Sequence, residues 1–99
     1  MRVNIQLSKE AEMDVLESFR WYESAKKGLG ENFLNELDEA LISISENPFA
    51  FSLRYKKIVR AFTMDRFPFL VYYSVNKEQV DVIAVFHTSK NPKVWKKRI

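Results

Sequence analysis

Apolar residues recur along the chain with two different periods, and the changes of period mark out its elements. At the start, Val3, Ile5 and Leu7 alternate with polar neighbours, which predicts a short strand over Arg2–Leu7. From Lys9 the spacing becomes three and four. Met13/Leu16, Val15/Phe19/Tyr22 and Ala25 form a broad apolar stripe and predict a helix from about Lys9 to Ala25. Ser8 precedes it as a candidate N-cap, with Glu10 and Glu12 in the first turn, where the helix dipole favours acidic groups. Gly28-Leu29-Gly30 breaks the pattern. A second helix is predicted from about Glu31 to Glu46, its buried stripe being Phe33/Leu34, Leu37, Ala40/Leu41 and Ile44, and Asn47-Pro48 ends it. Two helices joined by so short a link make an antiparallel hairpin. Phe49 to Tyr55 reads as irregular, with Phe49 and Phe51 tucked under the helices.

The second half is built from apolar runs with short polar breaks. Ile58–Met64, Phe69–Val75 and Val80–His87 are rich in β-branched and aromatic residues, separated by Asp65-Arg66-Phe67-Pro68 and Asn76-Lys77-Glu78-Gln79. This predicts a three-strand antiparallel meander. The middle run is apolar at nearly every position, so both of its faces need cover. The strand over Arg2–Leu7 must pair with this sheet to satisfy its backbone, at an edge or in the middle. Ser89-Lys90-Asn91-Pro92 reads as a turn, and Lys93–Ile99 as a short basic tail anchored by Trp95. The expected fold is α+β, with the order β-α-α-β-β-β and a small antiparallel sheet packed against an N-terminal helical hairpin. Residues 1–99 are expected to form one domain.

Composition narrows the chemistry. Hydrophobic residues are 46% of the chain, which suits a packed core, and there is no cysteine. Disulfides and thiolate metal sites are therefore excluded, and a cytoplasmic location is expected. No apolar run approaches the ~20 residues that span a bilayer, so no membrane role is expected. One histidine and dispersed carboxylates argue against a metal site, and two glycines leave no phosphate-binding loop. No cofactor is expected.

The net charge of +3 hides an asymmetry. Residues 1–53 carry five Lys/Arg against ten Asp/Glu, a balance of −5; residues 54–99 carry eleven against three, a balance of +8. Either the basic half serves an anionic partner, or the acidic helices face the basic sheet within the fold. The basic half also holds a cationic and aromatic set: Arg54, Lys56, Lys57, Arg60, Arg66, Tyr72, His87, Lys90, Trp95, Lys96, Lys97 and Arg98. Such groups bind phosphate backbones and stack on bases. A metal-free ribonuclease would need a proton-transfer group, for which His87 is suited, and cations against the developing phosphorane charge, such as Arg60 and Arg66. Each residue has a plain reading too. His87 can be a strand-end residue, Trp95 a lid over the core, and the tail lysines a solvated surface. Arg60 is the least bland, because a charge inside an apolar strand is costly unless it is paired.

Several strings together carry a family likeness. They are Ala11…Val15…Phe19-Arg20-Trp21-Tyr22-Glu23, Gly28-Leu29-Gly30-Glu31-Asn32-Phe33, Glu46-Asn47-Pro48, and Val59-Arg60-Ala61-Phe62 leading to Arg66-Phe67-Pro68-Phe69-Leu70-Val71-Tyr72-Tyr73. The last is Val85-Phe86-His87-Thr88-Ser89-Lys90-Asn91-Pro92-Lys93-Val94-Trp95-Lys96-Lys97-Arg98. Over almost its whole length the chain resembles the ParE/RelE superfamily of bacterial type II toxin–antitoxin toxins, and the ParE-like branch in particular. The resemblance implies a sheet packed on a helical hairpin and a cognate antitoxin that wraps and neutralises the toxin. It implies DNA gyrase as the target, with the ribosome and mRNA as the alternative if the chain cleaves RNA like RelE, and an inactive antitoxin-binding member as a third possibility. The candidates in this chain are Arg60, Arg66, Lys90, Trp95 and Arg98 for target binding, Trp21, Tyr22 and Phe51 for antitoxin binding, and His87, Arg60 and Arg66 for catalysis, if any. The final segment offers Trp95 and Arg98 where RelE-like nucleases place a Tyr, His or similar acid–base group.

Overall fold

The computed structural model describes residues 3–99; the predicted start of the first strand at Arg2 lies outside them. Strand β1 (Asn4–Leu7) leads into α1 (Lys9–Ala25) and α2 (Leu29–Glu46). Strands β2 (Ser52–Tyr55), β3 (Val59–Thr63), β4 (Phe69–Asn76) and β5 (Gln79–His87) follow, and α3 (Lys93–Lys96) closes the chain. The five strands form one sheet in the order β1-β5-β4-β3-β2. β1 runs parallel to β5 at one edge, and every other pair is antiparallel.

Ser8 does what a cap should. Its Oγ accepts from the Ala11 N–H at 3.0 Å and donates to the Ile83 carbonyl at 3.4 Å, which caps α1 and ties its start to β5. The buried face of α1 is narrower than its apolar spacing predicts. Ala11 and Asp14 are buried, while Met13 and Leu16 are exposed. The stripe of α2 is as expected: Phe33, Leu37, Ala40 and Ile44 are buried. This helix begins two residues earlier than predicted, because its cap comes from the preceding helix. The Glu23 carboxylate accepts the N–H groups of Gly28 and Gly30 at 3.0–3.1 Å. Gly28 turns the chain at φ 89°, and Gly30 lets the helices close up: a Cβ there would lie 2.7 Å from the Phe19 carbonyl oxygen.

The stretch read as irregular contains β2, an edge strand whose first three residues are exposed and which therefore shows no apolar alternation. Phe51 packs edge-on against Phe62 at 4.8 Å, but Phe49 points into solvent instead of tucking under the helices. The β2–β3 turn is closed by Ile58 N–H to the Tyr55 carbonyl at 3.1 Å, with Lys56 and Lys57 both left-handed at φ 50° and 59°. That conformation costs a side-chain-bearing residue roughly 1–2 kcal/mol, so Gly or Asn normally holds it.

Both faces of β4 are covered, as its composition requires. Val71 and Tyr73 face the helical hairpin, and Tyr72 faces the other way, toward Val59, Ala61, Ala84, Phe86 and the buried Trp95 of α3. A bulge at Ile83 shifts the register between Tyr72 and Tyr73. No helix among the described residues is long and apolar enough to cross a membrane.

Candidate functional site

An opening with an aromatic lining lies where the second half of α1 passes the end of β5. Helical spacing puts Glu17, Ser18, Trp21 and Tyr22 on one wall; Phe69, His87, Ser89 and Lys90 form the other. They enclose a half-open cavity of about 550 Å³. Trp21 is 67% exposed, an unusual state for a tryptophan, and meets Tyr22 edge-on at 5.1 Å. Behind the lining, Tyr22 packs on Phe33, Phe67 and Phe69 with ring centroids 4.9–6.1 Å away, and burial raises the pKa of its hydroxyl.

His87 stands on the opposite wall, edge-on to Phe69 at 5.3 Å. Its Nδ1 accepts the Ser89 N–H at 3.0 Å and lies 2.8 Å from the Ser89 hydroxyl. With Nδ1 occupied as an acceptor, the ring hydrogen of the neutral imidazole belongs on Nε2. In that tautomer Nε2 can donate a hydrogen bond but has no lone pair to take a proton.

The structure does not bring the predicted phosphate-chemistry residues together. Arg60 pairs with Tyr73 and His87 with Phe69, so they are four residues apart along the strands and two strands apart across the sheet. That separates their Cα atoms by roughly 16 Å. Arg60 is also engaged. Its Nη1 donates to the carbonyls of Phe49 and Phe51 at 3.2 and 2.7 Å, with the guanidinium over the Phe49 ring. This closes the question of its charge within an apolar strand, since it clamps the α2–β2 loop to the sheet. Arg66 is exposed in the β3–β4 turn, with its own N–H and that of Phe67 held by the Glu36 carboxylate at 2.6 and 3.2 Å.

The remaining target-binding candidates also separate. Lys90 borders the α1–β5 groove, with its ammonium over Phe86 at 4.8 Å. Trp95 is buried and stacked on Tyr72 at 4.2 Å, so its ring faces offer no platform to a ligand. Arg98 is spent on Asp14. Its guanidinium makes a bidentate pair at 2.7 and 3.0 Å and also donates to the Ile83 carbonyl, and the Asp14 hydrogen bond raises the arginine's pKa. Of the antitoxin-binding candidates, Trp21 and Tyr22 share the groove, while Phe51 is half-buried beside Phe62 and away from it. Sequence reasoning missed Glu17 and Ser89 in the groove, and Asp14 as the partner of Arg98. Asp14 did leave a signal: it lies three residues after the buried Ala11, on the buried side of α1, where a carboxylate needs a cation. Among the described residues, no three His, Cys, Asp or Glu side chains come together to hold a metal ion.

Comparison with solved structures finds the same fold in known toxins. A chain from the chromosomal ParDE toxin–antitoxin system of P. aeruginosa matches with a TM-score of 0.76 and 15% identity, covering 87% of this chain and 96% of that one. An arginine-to-alanine double mutant of the E. coli toxin RelE in the free state matches with a TM-score of 0.61 and 18% identity, covering 100% and 99%. Comparison with curated proteins finds no match. The model of the family described as the ParE toxin of the type II toxin–antitoxin system parDE matches residues 5–92. The chain is therefore a member of the ParE toxin family, on the fold that ParE and RelE toxins share.

Proposed function

We propose that this chain arrests growth as a ParE-like toxin by binding a macromolecular target, DNA gyrase, and that a cognate antitoxin neutralises it. The observation that carries this reading is the dispersal of the groups that RNA cleavage would need. His87 presents a donor to its groove, Arg60 is held on backbone carbonyls some 16 Å away, and Arg66 sits on a separate turn. A toxin that binds rather than cleaves has no need of their convergence. The antitoxin's place is the groove of Trp21 and Tyr22, where an amphipathic segment would seat an apolar side chain on an aromatic floor. The toxin acts in the cytoplasm on this reading.

Gyrase supercoiling assays test the target. Added at micromolar concentration, the purified chain is expected to block supercoiling or trap cleaved DNA, and added antitoxin to restore activity. Arrested growth with unchanged supercoiling would refute gyrase as the target.

One observation favours a second reading, ribosome-dependent cleavage of mRNA. His87, Lys90 and Glu17 share an open cavity large enough for a nucleotide. Transcripts cut in the ribosomal A site after induction, and spared in His87→Ala, would establish it. Normal growth on expression without antitoxin would leave an antitoxin-binding protein that poisons nothing.

A further inference from the structure

Away from the groove, two elements distant in sequence bring their lysines to one ring. Lys56, in the β2–β3 turn, has its ammonium 5.2 Å from the Tyr55 ring centroid; Lys96, on α3, has its ammonium 4.8 Å from the same centroid. Lys57 adjoins Lys56, and Lys93 and Lys97 flank Lys96 on one side of the short helix. Among the described residues no carboxylate lies within ion-pair distance of any of the five; the ion pair there is Arg98–Asp14.

This cluster is held in place by the fold. α3 is pinned from beneath by the buried Trp95 and by the bidentate Arg98–Asp14 pair. The β2–β3 turn keeps two lysines in the left-handed region where glycine or asparagine would be easier, and strain of this kind gathers at functional sites. Like charges converge here, and among the described residues no helix carboxylate forms an ion pair with them.

We infer that the Lys56–Lys57 turn and α3, with Lys97 at its end, form a docking surface for the phosphate backbone of double-helical DNA. The charge favours a polyanion. The rings select among polyanions. Trp95 and Tyr72 are buried, and Tyr55 carries ammonium groups over its ring, so a single strand would find no free stacking face. A duplex, whose bases already stack on each other, needs only point charges along its phosphates. The surface is independent of the growth-arrest reading, because it needs neither the groove nor gyrase.

Fluorescence anisotropy of a labelled DNA duplex of arbitrary sequence, roughly 20 base pairs long, tests it between about 50 and 200 mM salt. With four to five phosphates neutralised, the slope of log K against log salt is expected near −4, since each contributes about 0.9. Lys56→Gln with Lys96→Gln should lower the slope's magnitude by about 1.8, and Lys96→Gln alone, which leaves the turn untouched, by about 0.9. Lys26→Gln with Lys27→Gln, in the link between α1 and α2, should change nothing. Melting temperatures of the variants, expected to match the parent, separate lost contacts from lost folding. No duplex binding at the lowest salt overturns the inference. So does a slope indifferent to Lys56 and Lys96, or tighter binding of the single strand, an RNA duplex or polyglutamate.

Discussion

Removing the guanidinium of Arg98 tests the contact that joins the two ends of the chain. Asp14 is 7% exposed and accepts three hydrogen bonds: one from the Val85 N–H at 3.1 Å and two from Arg98. Arg98→Ala leaves that carboxylate buried with a single donor. Stripping one partner from a buried pair costs about 3–5 kcal/mol. Arg98 is 18% exposed, so water reaches the gap once the arginine stem is gone, and the lower end applies. The Arg98 bond to the Ile83 carbonyl and its contact over Phe86 at 4.9 Å go as well, adding about 1 kcal/mol. A total near 3–4 kcal/mol corresponds to a melting point lower by roughly 15 °C in a domain of this size. Urea unfolding at neutral pH measures it best in a Trp21→Phe background, where emission reports the buried Trp95 alone. A double-mutant cycle with Asp14→Asn isolates the pair, with a coupling of about 2 kcal/mol expected. A single-variant loss below about 1 kcal/mol, or a coupling below about 0.5, would put the pair with ordinary surface ion pairs and refute the reasoning.

Other contacts give equally direct outcomes. Gly30→Ala gains helix propensity worth about 1 kcal/mol but drives a methyl to within 2.7 Å of the Phe19 carbonyl oxygen, so the helices must part. A net loss of about 1–2 kcal/mol in thermal unfolding is expected, and a gain would show that the hairpin yields freely. Burial pushes the Tyr73 hydroxyl up to about 12 from its ordinary 10.0, while it donates to the Pro48 carbonyl at 2.7 Å. The folded state therefore keeps a proton that the unfolded chain releases; this stabilisation is complete below pH 10 and is lost as pH rises toward 12. Tyr73→Phe should cost about 1 kcal/mol at neutral pH and flatten the alkaline fall of stability between those values, as read by denaturant titration. Trp21→Ala should weaken antitoxin binding roughly 10- to 100-fold by calorimetry and leave the melting point within about 2 °C, because the ring is already in solvent.

What could be read from the sequence was what local chemistry decides. The bounds of α1 follow from the Ser8 cap and the three-four spacing, and those of β3, β4 and β5 from β-branched runs between polar turns. Where the deciding contact lies outside the element itself, no local pattern marks it. α2 starts at Leu29 because a carboxylate six residues back caps it. β2 shows no alternation, since most of it faces water at a sheet edge and its turn is built from lysines rather than Asn-Gly. The parallel pairing of β1 with β5 depends on contacts some 75 residues apart, which periodicity cannot register. The groove is legible one wall at a time: Trp21 and Tyr22 as conspicuous helix aromatics, His87 and Lys90 as the end of a strand. That they face each other is a property of the sheet order alone.

The two kinds of cation in the basic half have separated by their chemistry. Arg60 is fixed on two backbone carbonyls, Arg98 on a carboxylate and a carbonyl, and Arg54 on the Ser52 hydroxyl at 3.1 Å. A guanidinium is planar, always charged and weakly hydrated, so it can serve several acceptors at once at modest desolvation cost. The lysines of the turn and of α3 make no such side-chain bonds among the described residues, and two of them, Lys56 and Lys96, lie over the Tyr55 ring. An ammonium is strongly hydrated and gains little from a neutral carbonyl, but it keeps its full charge for a partner. A single basic face that includes the arginines is therefore the wrong description of this surface. Replacing Arg60 or Arg98 should act first on stability, and replacing Lys56 or Lys96 first on association. This division explains how a chain with acidic helices can keep a basic region: Arg98, which meets a helix carboxylate, is bound within the fold, while the lysines of the β2–β3 turn and of α3 form no ion pair among the described residues.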